Sequence, residues 1–369
     1  MKEWTSLIKN NGFLFLTLNM LLSLFGFSFI PLFLKEQGYS LWQLVLLYVL
    51  YTVLASLFIM FVSVFKIRTF LIIGFFFQVL GALLFLFYSS TTFYLYALLL
   101  ALIIVFYWIP LNWLFFQQTQ RTTNATHSSV YYLVSGLISV ILPPLGALVV
   151  HSWGYHWLFG ITAFLYLIPL YLTWKLVPER REEAPFWAGF QDFKGMRTIT
   201  FLEGSLHFFG GAILPIYGLL FLKTEGDIGF YLSYLGAIAV ILALLLARRS
   251  DATQKRKNYL FVMFLLMAVS IMGFIFVKTK WEWYIIVGFF TIVSTLSAPL
   301  RLAVSMDVKT VDVSFWRMRE FCLNVGRATT LALAALLFYK ELYVPVFMMY
   351  GMIALVYPFL VRYKWKNLE

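Results

Sequence analysis

Twelve runs of about 20 apolar residues, separated by short polar breaks, occupy nearly the whole chain. They lie roughly at 11–34, 42–65, 69–89, 93–116, 128–150, 155–176, 199–222, 228–248, 259–277, 282–306, 318–339 and 342–362. A run of that length crosses the hydrocarbon core of a bilayer as a helix, whereas an open sheet there leaves backbone groups unpaired. The expected fold class is an all-α membrane protein with twelve transmembrane helices. Only 12% of the residues are charged, about half the share of a soluble globular chain, and the connections leave no room for a soluble catalytic domain. The lone cysteine, Cys322, allows neither an intramolecular disulfide nor a cysteine metal cluster. The polar start, Met1 to Asn10, leads into the first run without a small-residue cleavage site, the pattern of a first span rather than a removable signal.

The net charge of +12 on a soluble chain would suggest nucleic acid. On a multispanning chain its location matters more, because cytoplasmic loops retain Lys and Arg. Twenty-two of the 28 basic residues fall on the side of the N-terminus, five on the other (Lys35, Lys223, Lys278, Lys280 and Lys340), and Arg327 lies within a span. This asymmetry places both termini in the cytoplasm, in a multi-pass protein of the cell (inner) membrane, and removes nucleic acid as an expected partner.

The longest polar interruption follows the sixth run and contains Glu179, Arg180, Arg181, Glu182, Glu183, Asp192 and Lys194. It reads as a solvated cytoplasmic linker with an interfacial helix carrying Phe186, Trp187 and Phe190. The two sides repeat each other. Phe33 to Gly38 matches Phe221 to Gly226 at an offset of 188, and Pro110-Leu111-Asn112 matches Pro299-Leu300-Arg301 at 189. The chain therefore divides into a six-helix bundle over 1–176, a linker over 177–198 and a second bundle over 199–369.

Gly136 to Ala147, with Pro143 and Pro144, followed by Gly154-Tyr155-His156-Trp157-Leu158-Phe159, is similar to the fifth and sixth helices of the major facilitator superfamily of secondary transporters. The resemblance covers essentially the whole chain. That family's loop between helices two and three is barely kept, in Lys66 and Arg68. Its counterpart between helices eight and nine is fuller, with Arg248, Arg249, Ser250 and Asp251. The resemblance makes Lys66, Arg68, Arg249 and Asp251 cytoplasmic latch candidates. It also implies two pseudo-symmetric six-helix bundles that rock about a midplane site lined by helices one, four, seven and ten.

A charge in the hydrocarbon costs about 2.5 to 3.5 kcal/mol on the insertion scale, so polar residues within spans are site candidates. The substrate-cavity candidates are Asn19, Ser23, Tyr107, Trp108, Asn112, His207, Ser294 and Arg301. Glu203 and His207 are spaced i, i+4 on one face and suit proton exchange, although Glu203 at a helix rim equally fits a solvated or arginine-paired carboxylate. Arg301 suits an anionic group held bidentately, and equally fits snorkelling or a pair with Glu203. Arg327 needs a partner, which Glu320 or Glu203 supplies. Glu203, His207, Glu320, Asn324 and Arg327 are thus the proton-coupling or gate candidates.

The reading is a secondary active transporter of a small organic solute working by alternating access, with proton-coupled efflux as its fuller form. Its expected partners are that solute, protons and the lipid bilayer, acting as a monomer. No cofactor, metal or enzymatic activity is expected. The alternative is a lipid-modifying membrane enzyme or a non-transporting sensor or scaffold on a similar fold.

Overall fold

The computed structural model describes residues 11–117, 123–242, 250–253 and 255–365. Twelve helices in it are long and apolar enough to cross a membrane. We label them α1 (Asn11–Glu36), α2 (Leu41–Phe61), α3 (Ile67–Leu86), α4 (Thr92–Phe116), α5 (Asn124–Trp153), α6 (Tyr155–Leu176), α7 (Arg197–Gly218), α8 (Glu225–Leu242), α9 (Arg256–Phe276), α10 (Lys280–Val308), α11 (Val313–Tyr339) and α12 (Tyr343–Tyr363). Helix ends sit where the backbone finds a partner. Ser40 and Gln43 form a capping box at the start of α2, and Thr279 and Glu282 another at the start of α10.

Among the described residues, four span ends lie four or five residues from the apolar pattern: α5 begins at Asn124 instead of 128 and α7 ends at Gly218 instead of 222, and the other two have a visible cause. The second span was expected to reach residue 65, but α2 ends at Phe61 because Val64–Lys66 is a strand, β1, paired antiparallel with β2 (Arg181–Glu183) of the linker. The eleventh was expected to begin at residue 318, but α11 begins at Val313, where the Asp312 Oδ1 accepts the Phe315 amide at 2.7 Å. Arg317, Arg319 and Glu320 are therefore helical and buried.

Within the first half α3 packs on α6 and α2 on α4, and within the second α9 packs on α12 and α7 on α11. The halves meet where α5 packs on α8 and α2 on α11. The α5–α8 seam is close enough to require a small residue. A Cβ on Gly236 would stand 2.1 Å from the Ser139 hydroxyl and 2.8 Å from the Gly136 carbonyl.

Both faces carry contacts between the halves. On the linker face, Arg317 of α11 donates to the carbonyls of Ile59 (3.0 and 2.7 Å) and Met60 (3.2 Å) at the end of α2, and to the Ala184 carbonyl of the linker. These are last-turn carbonyls that no amide of α2 reaches, and a cation there also complements the helix dipole. Phe116 stacks on Trp316 at 5.1 Å. On the opposite face, Lys35 donates to the Leu219 carbonyl, His151 lies 3.0 Å from Glu225, and Trp42 meets Tyr339 edge to face.

The linker helix, Phe186–Asp192, packs on α11 as well as carrying an exposed Trp187, with the Phe186 ring 5.0 Å from Phe321. It thereby joins the seal on that face.

Candidate functional site

Pro110 and Pro215 lack an amide N–H and cannot bond the carbonyls of Phe106 and Gly211, so the turns before them widen. Ile104–Trp108 of α4 and Phe209–Ile213 of α7 are π-helical turns, a form often found at functional sites. Ile104, Trp108, Gly210 and Gly211 from these turns line cavities between the helices.

Three cavities adjoin one another. The first, of about 240 Å³, lies in the first half and is lined by Asn19, Ser23, Gln78, Tyr48, Tyr51 and Trp108. The second, of about 390 Å³, lies at the junction and shares Tyr51 and Trp108 with the first; it adds Asn112, Tyr131, His207, Arg319, Glu320 and Arg327. The third, of about 360 Å³, shares Tyr132, Ser135 and His207 with the second. It is otherwise walled by Gly210, Gly211, Thr291, Ser294 and Arg301. His207 is exposed in the folded chain, and the space it meets is that of the second and third cavities, both of which it lines.

The charges around these cavities form two ion pairs within the second half. Arg319 Nη2 of α11 lies 2.6 Å from Glu203 Oε1 of α7, and both side chains are buried. Arg327 Nη1 lies 3.3 Å from Glu320 Oε2 and donates to Asn324 Oδ1 at 3.1 Å, while Asn324 donates to the Glu320 carbonyl at 2.8 Å. Arg327 also lies over the Phe208 ring. Of the partners weighed for Glu203, neither Arg301 nor Arg327 holds it; Arg319 does.

The site candidates thus separate. Arg301 and Ser294 face the 360 Å³ cavity, Asn112, Glu320 and Arg327 the 390 Å³ one, and Asn19 and Ser23 the 240 Å³ one, while His207 lines the first two of these and Trp108 the last two. Asn19 accepts from the Tyr166 hydroxyl at 3.3 Å and Asn112 from Tyr131 at 3.2 Å. Tyr107 lines none of these cavities: it is fully buried and donates to the Phe15 carbonyl at 3.2 Å. Glu203 and Asn324 stand behind the walls.

Among the latch candidates, Lys66 lies in β1, while the amides of Arg68 and Thr69 donate to Glu179 of the linker at 3.1 and 3.3 Å. Arg249 falls outside the described residues. Asp251 accepts the Ala125 and Thr126 amides at 3.3 and 2.7 Å and pairs with Arg256 at 2.9 Å. Arg256 also lies 3.0 Å from Asp307, which accepts from Asn124 at 2.9 Å. This buried network joins the start of α5 to α9 and α10. Arg256 belongs to the basic cluster that follows Asp251 and reads with it as a latch position, whereas Asp307, Asn124, Arg317 and Arg319 are not among the candidates the sequence offers. Acid and base at helix ends were the visible signal, but which pairs meet depends on packing between distant helices.

The sequence pattern of the Major Facilitator Superfamily matches residues 119–310. Among solved structures, the crystal structure of the human organic anion transporter MFSD10 (TETRAN) is similar in fold, with a TM-score of 0.72 at 12% identity over 94% of this chain and 98% of that one. No curated protein sequence matches.

Proposed function

The chain belongs to the Major Facilitator Superfamily, and from that premise we propose that it is a secondary active transporter moving a small organic solute by alternating access. The observation that carries this reading is the position of two of the cavities, between two six-helix halves that touch at both faces. Rocking about α5–α8 and α2–α11 opens one set of face contacts while the other holds. The excess of basic residues on the linker side supports a cytoplasmic position for that side and for both termini, in a cell-membrane protein.

Proton coupling is assigned to Glu203. One of its oxygens meets Arg319, and the other, Oε2, is buried without a hydrogen-bond partner among the described residues. A proton taken there neutralises the carboxylate and releases Arg319 toward the junction cavity. Glu203→Gln is expected to lose pH-gradient-driven flux in proteoliposomes while keeping solute exchange; unchanged gradient-driven flux in that variant contradicts the assignment. The transport reading itself is tested by solute flux measured beside lipid turnover. Flux without turnover is the expected result, and turnover without flux supports a lipid-modifying enzyme instead.

A further inference from the structure

Five arginines are buried among the described residues: Arg256, Arg301, Arg317, Arg319 and Arg327. Arg256, Arg319 and Arg327 each have a carboxylate within ion-pair distance, and Arg317 has backbone carbonyls. Arg301 of α10 differs from all of them. It is 6% exposed, makes no ion pair or hydrogen bond among the described residues, and its Nε is buried and unpartnered. The contact it does make is distant, over the Phe264 ring at 5.9 Å. Its side chain lines the 360 Å³ cavity with His207, Ser294 and Gly210.

An arginine cannot shed its proton to escape burial. Holding it unpaired inside a membrane protein is therefore destabilising, and an arriving anion would supply the partner it lacks. The surrounding charge balance points the same way. Among the described residues, Arg301, Arg319 and Arg327 stand against Glu203 and Glu320, so once the two pairs are counted one positive charge remains, that of Arg301 in the 360 Å³ cavity.

Taking the chain as the solute transporter argued above, we infer that its substrate class is a small organic anion whose carboxylate, or a phosphate or sulfate group of like chemistry, is held by Arg301. The guanidinium fork suits two parallel hydrogen bonds to such a group. His207 and Ser294 line the same cavity and are placed to meet the rest of the molecule. The low wall of Gly210 and Gly211 leaves room for its apolar part.

The test uses the full chain purified into phosphatidylcholine nanodiscs, which exclude anionic lipid, with benzoate, 2-naphthoate, benzamide and benzylamine as probes. Millimolar benzoate or 2-naphthoate is expected to raise the melting temperature by a few degrees, because a ligand that binds the folded state stabilises it. Benzamide and benzylamine should leave it unchanged. Arg301→Gln should abolish the carboxylate shift, and Arg301→Lys, which keeps the charge without the fork, should retain part of it. Without ligand, Arg301→Gln should melt no lower than the parent protein, since no native pair is broken; this readout separates a binding role from a structural one. No shift with either carboxylate, an equal shift with benzamide or benzylamine, or a full carboxylate shift in Arg301→Gln overturns the inference. In proteoliposomes, flux of benzylamine without flux of benzoate overturns it while leaving the transport reading intact. Arg301-dependent benzoate binding without flux of any solute supports the anion site and contradicts transport.

Discussion

Replacing Arg319 with methionine is expected to destabilise the protein by about 3–5 kcal/mol, the cost of leaving one member of a buried ion pair without its partner. Glu203 is 2% exposed and meets Arg319 at 2.6 Å. With Arg319 gone, its remaining carboxylate oxygen joins Oε2 in having no partner. The double variant Glu203→Leu with Arg319→Met removes both charges and should recover most of that loss, since an apolar pair of similar volume is often as stable as the ions. Unfolding curves of the purified protein in detergent measure both. If Arg319→Met unfolds like the parent, or the double variant is no better than the single, the pair does not join α7 to α11 as described.

A comparable loss is expected from Gly326→Leu, for a steric reason. A Cβ on Gly326 would lie 2.0 Å from the Phe201 carbonyl oxygen, and one on Gly204 would lie 2.2 Å from the Leu323 carbonyl oxygen. The backbones of α7 and α11 are thus in contact, as small residues allow between membrane helices. Ser205 and Thr330 reinforce the seam, with hydroxyl bonds to the Gly326 and Ser205 carbonyls at 3.3 Å each. Leucine forces the helices apart and should destabilise by about 3 kcal/mol, the upper part of the range for overpacking. Gly226→Ala, whose Cβ would meet nothing nearer than Thr224 Oγ1 at 3.8 Å, is the control and should stay within about 0.5 kcal/mol. Equal behaviour of the two variants would contradict the close approach.

The two predictions fall on a seam that hydropathy does not show. The spans themselves are legible because a bilayer demands long apolar helices whatever their neighbours. Their ends are less so. α2 stops early because Ser63 and the strand after it bond to the linker, a partner more than a hundred residues away. By contrast, the start of α11 was readable in principle, since Asp312 is a strong N-cap residue placed three before Phe315.

Among the site residues, His207, Ser294 and Arg301 share a cavity, and each is legible as a polar residue within an apolar span. Tyr107 sits beside Trp108 in sequence yet turns away, because neighbours on a helix point about 100° apart, and its hydroxyl meets the Phe15 carbonyl. The choice of Arg319 over Arg301 or Arg327 as partner of Glu203 follows from the glycine-lined approach of α7 to α11. A contact made across a separation of 116 residues leaves no local periodicity to read.

The most direct test of alternating access is the labelling of one cavity residue from each side. Ser135 lines both cavities at the junction, and Cys322, buried in α11 and the sole cysteine of the chain, can be removed as Cys322→Ser. In oriented proteoliposomes carrying Ser135→Cys in that background, a membrane-impermeant thiol reagent is applied to one face and then, in a separate sample, to the other. The account predicts labelling from both faces in a membrane that stays tight to small ions. Labelling from one face alone, or a steady ion leak through the unlabelled protein, would contradict it.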